Sequence, residues 1–367
     1  MDTGNKQAVV VVPVIKSDFN EFEKISFEQC RRKLSKHKIV LIMPHRVEIK
    51  DDLSNIEYDI VRVPDKWMDS IDSYSRMLCS LDFYKLFEEY SYMLICQLDA
   101  YVFEDRLREF CKSGCDYIGA PWYDGFTIYE NGEKKKLYIG NGGFSLRNIQ
   151  ACINVLENNM VKYYGEPEDL FWARCDSDCF KVAPYDYAVK FSFEGQVRKH
   201  FEMNGNNLPF GCHAWMKMDY DFFKKLSSSD GYDFPESLKG NWDEKNITID
   251  AEAYLYLEPS MIAKKLDKID LSKEIYIWGA GWLGTKCSNI LKKAEAKKVY
   301  FMDSNEEKVG KQVNGIQVIS STDITKLTRG TVILSFLSMD SEWKESIQKQ
   351  YKDINVIDWK EFLELLN

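Results

Sequence analysis

The chain has 367 residues, of which 45% are hydrophobic and 29% charged, a composition typical of soluble globular proteins and a length that suits about two domains. Asp and Glu number 58 against 49 Lys and Arg, which gives a net charge of −9, and the only basic block is the short run at 134–136. Binding to nucleic acid requires a basic surface, so we expect no nucleic-acid partner.

The first apolar run, within MDTGNKQAVVVVPVIK, lacks the basic segment that begins a signal peptide and is too short to span a membrane. We therefore expect no membrane span and a cytoplasmic location, in which the ten cysteines remain reduced thiols. The sequence leaves open whether the protein lies at a membrane as a peripheral protein, held there by partners.

Short apolar strands alternate with amphipathic helices through the first part of the chain. The pattern predicts strands in residues 8–15, 38–44, 58–64, 92–96, 115–123 and 136–148. It predicts helices in residues 22–34, 149–159 and 167–178, and a long helix or a helix pair in residues 70–90, with Ser70 as its N-cap. Alternation of this kind is typical of an α/β fold.

A polar, turn-rich stretch at 227–245 separates this part from a second α/β region with strands predicted at 315–320, 331–336 and 355–359. We predict two domains, residues 1–262 and residues 263–367. The second opens with Gly279, Gly281 and Gly284 in a GxGxxG pattern between a strand and a helix.

Asp303 follows at the end of the next strand, as in dinucleotide-binding domains, where the glycines approach a pyrophosphate and the acid binds a ribose. We therefore predict a small Rossmann-like βαβ domain with these four residues at a nucleotide site. A docking or regulatory module is the alternative. The region has no Tyr-x-x-x-Lys pair, which an oxidoreductase or epimerase of the short-chain dehydrogenase kind would need.

An acid follows the buried strand of YMLICQLDAYVF, residues 92–103. In open α/β sheets the ligand lies outside the carboxyl ends of the strands, so Asp99 is well placed for chemistry. The structural alternative is that Asp99 caps the helix that follows, although Asp105 is better placed for that role.

Other features of the first domain accompany Asp99. They are Arg76 on a helix, Asn141 with Gly142 and Gly143 in GNGGFSLRN, Glu168 with Asp169 at a helix start, and His213 in PFGCHAW. Each has a structural alternative: a surface ion pair, a hairpin, complementation of a helix dipole and a packed loop histidine. Together they describe a site that transfers a group from a diphosphate leaving group.

Such a transfer needs positive charge on the departing diphosphate and a base for the attacking hydroxyl. Asp99 and His213 are suitable ligands for Mn²⁺ or Mg²⁺, and Asp169 or Glu168 would serve as the base. Trp122 and Trp215, each near Gly or Pro in loops, would suit stacking on an acceptor sugar, although tryptophan is also a common core residue.

The ordered motifs SYSRML, YMLICQLDAYVF, CDYIGAPWY, GNGGFSLRN, PEDLFW and PFGCHAW resemble an uncharacterised bacterial family of GT-A-type glycosyltransferases, over residues 8 to about 220. The layout is similar, more distantly, to the glycogenin and lipopolysaccharide galactosyltransferase family. The resemblance implies a GT-A-like fold, a metal motif that begins at Asp99, and His213 as the late metal ligand. The donor-binding residues it implies are Pro13, Tyr74, Arg76, Asp99, Asn141, Gly142 and Gly143.

The chain departs from that family at the Asp-x-Asp metal motif. Tyr101 stands where the second acid is expected, and if the motif is shifted to Gln97-Leu98-Asp99, Gln97 replaces the first acid. One carboxylate is missing either way, so Arg76 and nearby lysines are alternative carriers of positive charge. The acidic pair Glu168 and Asp169 resembles the base of inverting enzymes, whereas the arginine helix resembles retaining ones, and we favour inversion.

The C-terminal part resembles the small Rossmann-like domains attached to sugar-modifying enzymes of bacterial surface polysaccharide pathways. We therefore predict a glycosyltransferase that moves a sugar from a nucleotide-diphosphate sugar, taken as a UDP-sugar, to a glycan, a lipid-linked saccharide or a protein-linked saccharide. The alternatives are an NAD(P)-dependent oxidoreductase or epimerase and a non-catalytic sugar-nucleotide binding protein.

Overall fold

The structure is a computed structural model that describes residues 6–48, 58–130, 133–236, 253–327, 329–336 and 341–366. The chain forms two compact units, Met1–Phe126 with Lys136–Thr248 and Thr127–Lys135 with Ile249–Asn367. The domain ranges 1–262 and 263–367 stay a prediction. Within the described ranges, no helix combines the length and apolar character that crossing a bilayer requires.

The first part of the chain contains eleven labelled strands and ten labelled helices among its described residues. The strands are β1 (Lys6–Pro13), β2 (Lys38–Pro44), β3 (Asp59–Val63), β4 (Tyr90–Cys96), β5 (Ala100–Val102), β6 (Tyr117–Ile118), β7 (Pro121–Glu130), β8 (Glu133–Ile139), β9 (Phe144–Asn148), β10 (Ser192–Phe193) and β11 (Gly211–His213). The helices are α1 (Glu21–Lys33), α2 (Ile71–Leu78), α3 (Leu81–Lys85), α4 (Leu107–Phe110), α5 (Ile149–Glu157), α6 (Glu168–Arg174), α7 (Tyr185–Phe191), α8 (Val197–Met203), α9 (Trp215–Met218) and α10 (Tyr220–Ser227). Short 3-10 turns lie at Asp65–Trp67 and Ser228–Asp230.

The main sheet of the first unit has the order β3-β2-β1-β4-β9-β6. Strands β3, β2, β1 and β4 are parallel, whereas β9 runs antiparallel to both β4 and β6. Alternate residues of β1 pack on opposite faces: Val10 and Val12 join one buried cluster, and Val9 and Val11 join another. Both faces are therefore covered, as the near-continuous apolar run of β1 predicts.

The connections of this sheet reverse direction between β1 and β4. The chain runs from β1 outward to β2 and β3 and then returns to β4 on the other side of β1. Such a reversal is a topological switch point, where open α/β sheets bind ligands. The edge between Pro13, at the end of β1, and Gln97, just after β4, is therefore the expected site.

Local sequence sets the helix ends near this edge. Ser70 accepts a hydrogen bond from the Ser73 backbone in a capping box, which confirms its predicted role at the start of α2. The stretch at 70–90 is a helix pair, α2 and α3. A second sheet of order β10-β11-β5 pairs His213 with Ala100 and so carries His213 to the residue next to Asp99.

The second unit contains a largely parallel sheet of six strands in the order β14-β15-β13-β12-β16-β17. Its strands are β12 (Glu274–Trp278), β13 (Lys298–Asp303), β14 (Gln312–Val313), β15 (Ile316–Ser320), β16 (Gly330–Leu334) and β17 (Ile354–Asp358). Its helices are α11 (Pro259–Lys265), α12 (Trp282–Lys293), α13 (Ser341–Gln350) and α14 (Trp359–Glu364), with 3-10 turns at Ala253–Tyr256 and Ser321–Lys326. The switch point lies between β12 and β16, and the predicted α/β class is confirmed for both units.

Candidate active site

The loop that follows β4 is held in place by backbone hydrogen bonds. The Gln97 amide donates to the Gly143 carbonyl at 2.9 Å, and the Ala214 amide donates to the Asp99 carbonyl at 3.0 Å. The Gln97 side chain donates to the Tyr74 hydroxyl at 3.2 Å. The loop after β4, the segment 140–143 (called the glycine loop below) and the segment after β11 therefore meet at one point of the sheet edge.

Asp99 lies between two cationic side chains. Its Oδ1 is 2.9 Å from Nε2 of His213, and its Oδ2 accepts a hydrogen bond from Nζ of Lys217 at 2.6 Å. Burial favours the neutral acid, but His213 and then Lys217 outweigh burial and hold the pKa of Asp99 well below its usual range. Asp99 is therefore a carboxylate at neutral pH.

His213 in turn lies between two carboxylates. Its Nδ1 forms an ion-pair contact of 2.9 Å with Oε2 of Glu194. Burial lowers the pKa of His213, but the charges of Glu194 and Asp99 outweigh it and raise that pKa well above its ordinary value. The four side chains form a row, Glu194–His213–Asp99–Lys217, of alternating charge.

The two adjacent glycines of the GNGG motif make room for this row. A Cβ on Gly142 would lie 2.0 Å from Oε1 of Glu168, and a Cβ on Gly143 would lie 2.3 Å from Nε2 of His213. Any other residue would have to displace Glu168 or His213. The motif therefore contains glycine because the backbone passes directly beneath a carboxylate and an imidazole.

Glu168, at the start of α6, belongs to a buried network with Arg147 of β9. The Arg147 guanidinium, fully buried, donates to Oε2 of Glu168 at 2.6 Å, to the Tyr84 hydroxyl at 3.0 Å and to the Ser145 hydroxyl at 3.2 Å. Burial raises the pKa of Glu168, and Arg147 opposes that rise. Glu168 is therefore engaged in an ion pair that joins the start of α6 to β9.

Asp169, the next residue, has a different environment. It is half-buried, and its Oδ1 accepts a hydrogen bond from the Leu170 amide at 2.8 Å. Burial and the adjacent charge of Glu168 raise the pKa of Asp169 to about 7. A carboxyl group with this pKa is suited to accept a proton at neutral pH.

The remaining predicted donor residues differ in their surroundings. Pro13 ends β1, and Tyr74 is half-buried beside Gln97, where burial raises the pKa of its phenol. Arg76 is exposed on α2, the same helix as Tyr74. Asn141 is half-buried, and its Oδ1 accepts a hydrogen bond from the Trp122 indole at 2.9 Å.

Of the two predicted acceptor residues, Trp122 and Trp215, the structure describes the side chain of Trp122 only. The Trp122 ring lies on Gly140, where a Cβ would come within 1.7 Å of it, so this ring supports the glycine loop. The side chain of Trp215 lies outside the described part of the chain. Tyr101, at the position of the missing acid, is fully buried and donates to Oδ2 of Asp230 at 2.8 Å.

Three residues at the site were not singled out from the sequence: Arg147, Glu194 and Lys217. An arginine inside the apolar run FSLRN was a usable signal, because a buried charge needs a partner. Lys217 and Glu194 gave no such signal, since their contacts with Asp99 and His213 depend on the tertiary fold. No group of three or more His, Cys, Asp or Glu side chains among the described residues is arranged to hold a metal ion.

The predicted nucleotide residues of the second unit meet at the end of β12. Gly279 has a φ of 110°, and a Cβ on Gly284 would lie 2.0 Å from the Gly279 carbonyl, so the turn and the helix pack tightly. The Asp303 carboxylate accepts hydrogen bonds from the amides of Ala280 and Asn305 at 2.9 Å each and from Lys308 at 3.1 Å. Its acceptor capacity is therefore largely used within the protein. Gly281 is the N-cap of α12.

Two family models match parts of the chain. Residues 57–213 match a family described as "Protein of unknown function (DUF5672)", and residues 271–361 match one described as "C2185-like, N-terminal". The first range contains Asp99, Arg147, Asp169 and His213, but its description assigns no activity. No curated protein matches the chain.

The chain is also similar to several solved structures. The glycosyltransferase GlyE of Streptococcus pneumoniae TIGR4 is 12% identical over 96% of this chain and 91% of that chain, with a TM-score of 0.34. The galactosyltransferase LgtC, in complex with donor and acceptor sugar analogues, is 11% identical over 62% of this chain and 98% of that chain, with a TM-score of 0.38. UDP-D-quinovosamine 4-dehydrogenase from Vibrio fischeri is 23% identical over 24% of this chain and 77% of that chain, with a TM-score of 0.20. All three TM-scores lie below 0.5, and all three identities lie below 25%.

Proposed function

We propose that the first unit is a glycosyltransferase with a GT-A-like fold, which moves a sugar from a nucleoside diphosphate to a hydroxyl group of an acceptor. One observation carries the proposal. The switch point between β1 and β4 brings the row Glu194–His213–Asp99–Lys217 together with a glycine loop and an acid whose pKa is about 7. A positive charge for the departing diphosphate and a base for the attacking hydroxyl are the two requirements of this transfer that the site meets.

We assign the base to Asp169 and not to Glu168. Glu168 is engaged by the Arg147 guanidinium, whereas Asp169 has one described side-chain hydrogen bond, from the Leu170 amide, and a pKa raised to about 7. In this role Asp169 takes the proton of the attacking hydroxyl as that oxygen bonds to the sugar carbon. Attack assisted by a base favours inversion at that carbon, in agreement with the prediction from the sequence.

The acceptor would bind on the paired strands β7 and β8. Tyr123 is 37% exposed, with Nζ of Lys199 4.2 Å from its ring centroid, and Tyr138 is 46% exposed, with its ring over Gly125. Exposed aromatic rings are suited to stacking on sugar faces. The acceptor is then a saccharide, and the predicted glycan, lipid-linked and protein-linked forms remain alternatives, as does a role in surface polysaccharide synthesis.

The second unit supports a second candidate, nucleotide binding at Gly279, Gly281, Gly284 and Asp303. The glycine turn lies at a switch point, where such ligands bind. Asp303, however, already accepts three hydrogen bonds from the protein, so an NAD-type ribose contact would require it to exchange partners. This favours the transferase over the oxidoreductase or epimerase alternative.

Binding and turnover of a panel of nucleotides test the proposal. The purified chain is titrated calorimetrically with UDP, GDP, NAD and NADP and then assayed for release of UDP from UDP-glucose, UDP-galactose and UDP-N-acetylglucosamine. We expect a nucleoside diphosphate to bind and Asp169→Asn to abolish turnover while it preserves that binding. Binding of NAD or NADP alone would overturn the proposal. Donor binding without turnover on any acceptor tried would favour the non-catalytic alternative.

A further inference from the structure

The carboxylate that the sequence assigns to a metal is already paired in the structure. Both oxygens of Asp99 have partners, Nε2 of His213 at 2.9 Å and Nζ of Lys217 at 2.6 Å. Lys217 lies on α9, four residues after His213, and its side chain is 46% exposed. A cation of the protein itself therefore lies on the oxygen that a metal ion would need.

The other side chains of the row do not provide a cage for a metal ion. Asp99 faces Nε2 of His213 and Glu194 faces Nδ1, so the two carboxylates lie on opposite edges of the imidazole ring. One ion bonded to a ring nitrogen is placed to reach only one of them. Glu194 at Nδ1 does not distinguish the two cases, because a histidine that binds a metal ion also commonly has a carboxylate on its other ring nitrogen. Whether a metal ion can bind here therefore depends on Asp99, whose Oδ2 is already bound to Lys217.

Lys217 has the properties that a phosphate-binding cation needs. Its ammonium is a compact charge on a flexible stem, and nearly half of the side chain is exposed. It can turn from Asp99 toward a phosphate oxygen without unfolding any element. Lysine acts on phosphates as a point charge in this way in other sites.

We propose that Lys217 supplies the positive charge that neutralises the departing diphosphate, in place of a divalent cation, an inference that rests on the proposed transferase function. In the transfer, the bond between the sugar carbon and the β-phosphate oxygen breaks, and its electron pair leaves with that oxygen. The acceptor hydroxyl oxygen bonds to the same carbon and gives its proton to Asp169. The extra negative charge of the nucleoside diphosphate then lies next to the Lys217 ammonium.

The test compares turnover of UDP-sugars with excess EDTA and with Mn²⁺ or Mg²⁺. The wild-type chain is compared with Lys217→Met, Lys217→Arg and the control Lys225→Met, an exposed lysine on α10. We expect wild-type turnover to change less than twofold in EDTA and Lys217→Met to lower kcat by about 100-fold, the effect of removing one charge-stabilising group. Lys217→Arg should retain much of the activity, and Lys225→Met should behave as wild type.

Calorimetric binding of UDP in EDTA gives a second measurement, independent of turnover. UDP should bind the wild type in EDTA and bind Lys217→Met at least tenfold more weakly, while thermal unfolding of the two proteins coincides. Wild-type turnover that is lost in EDTA and restored by Mn²⁺, with Lys217→Met close to wild type, would overturn this inference and leave the transferase in place. If the wild type binds neither UDP nor GDP and turns over no sugar derivative of either, the proposed function fails, and this inference fails with it.

Discussion

Gly143 lies directly against the imidazole ring of His213, so that a Cβ at Gly143 would come within 2.3 Å of Nε2. The same nitrogen is 2.9 Å from Oδ1 of Asp99. The glycine loop and the charged row are therefore in direct contact. His213 can lie this close to Asp99 because Gly143 has no side chain.

Gly143→Ala is expected to displace His213 from Asp99. The protein should lose at least tenfold in turnover and about 1–3 kcal/mol of stability, the usual cost of overpacking. The control is a double-mutant cycle with His213→Ala, because removal of the ring removes the clash. In that background Gly143→Ala should cost little stability in urea unfolding. An equal cost in both backgrounds would show that the contact does not constrain His213.

The raised pKa of Asp169 predicts a pH dependence of turnover. If Asp169 accepts the proton, it must be ionised, so kcat should rise with pH through a midpoint near the pKa of about 7. The pH profile of initial rates with a saturating UDP-sugar measures this midpoint. A profile that is flat from pH 5 to pH 8, a range of about three units around the ordinary working pH, would exclude Asp169 as the base.

The same raised pKa predicts that the folding stability of the protein falls as pH rises, whereas its turnover increases. A folded-state pKa of about 7 lies above the unfolded value, so the contribution of the protonated acid to stability is lost as pH rises toward 7. Asp169→Asn avoids that loss and should gain stability relative to wild type as pH increases, by about 4 kcal/mol at pH 8, since a shift of one pKa unit corresponds to about 1.4 kcal/mol. Asp178→Asn, an exposed acid after α6, is the control and should show no such trend.

Glu168 and Arg147 should move the pKa of Asp169 in opposite directions. The charge of Glu168 raises it and the charge of Arg147 lowers it. Glu168→Gln should therefore shift the acidic limb of the rate profile to lower pH, and Arg147→Met should shift it to higher pH. Either change breaks a buried ion pair and should cost about 3–5 kcal/mol in urea unfolding. Arg147→Lys keeps the charge and should leave the limb almost in place, whereas a limb that does not move in Glu168→Gln would contradict the coupling.

The elements of this fold were readable from the sequence because their signals are local. The apolar run of β1 and the Ser70 capping box depend on neighbours in the chain. Ser70 caps α2 as predicted, and β1, at Lys6–Pro13, begins and ends two residues before the predicted range 8–15. The predicted position of Asp99 just after a strand is also confirmed. The role of Lys217 was not readable, since its contact with Asp99 spans 118 positions of the sequence. To predict a site that is assembled from distant segments, one must know the order of the strands in the sheet, and the hydrophobic periodicity of the sequence does not give that order.

In the second unit, Asp303 is expected to stabilise the protein before any ligand binds. Its carboxylate accepts from the amides of Ala280 and Asn305, and these contacts together with Lys308 overcome burial and lower the pKa of Asp303. Asp303→Ala leaves the buried Ala280 amide without its partner, at a cost of about 1–3 kcal/mol. Hydrogen exchange should then speed up at Ala280 and in α12 without nucleotide present. Unchanged exchange there, with loss of nucleotide binding, would instead show that Asp303 acts only on a ligand.

The exposed ring of Tyr123 gives the test of the acceptor surface. Tyr123→Ala removes an exposed aromatic face of β7 and should raise KM for a saccharide acceptor about tenfold, since loss of such a contact costs roughly 1 kcal/mol or more. KM for the UDP-sugar should stay unchanged, because Tyr123 lies on β7 and not on the loop after β4. Tyr164→Ala is the matched control, as Tyr164 is 39% exposed against 37% for Tyr123. If Tyr123→Ala alters the donor KM and leaves the acceptor KM unchanged, the acceptor surface lies elsewhere on the first unit.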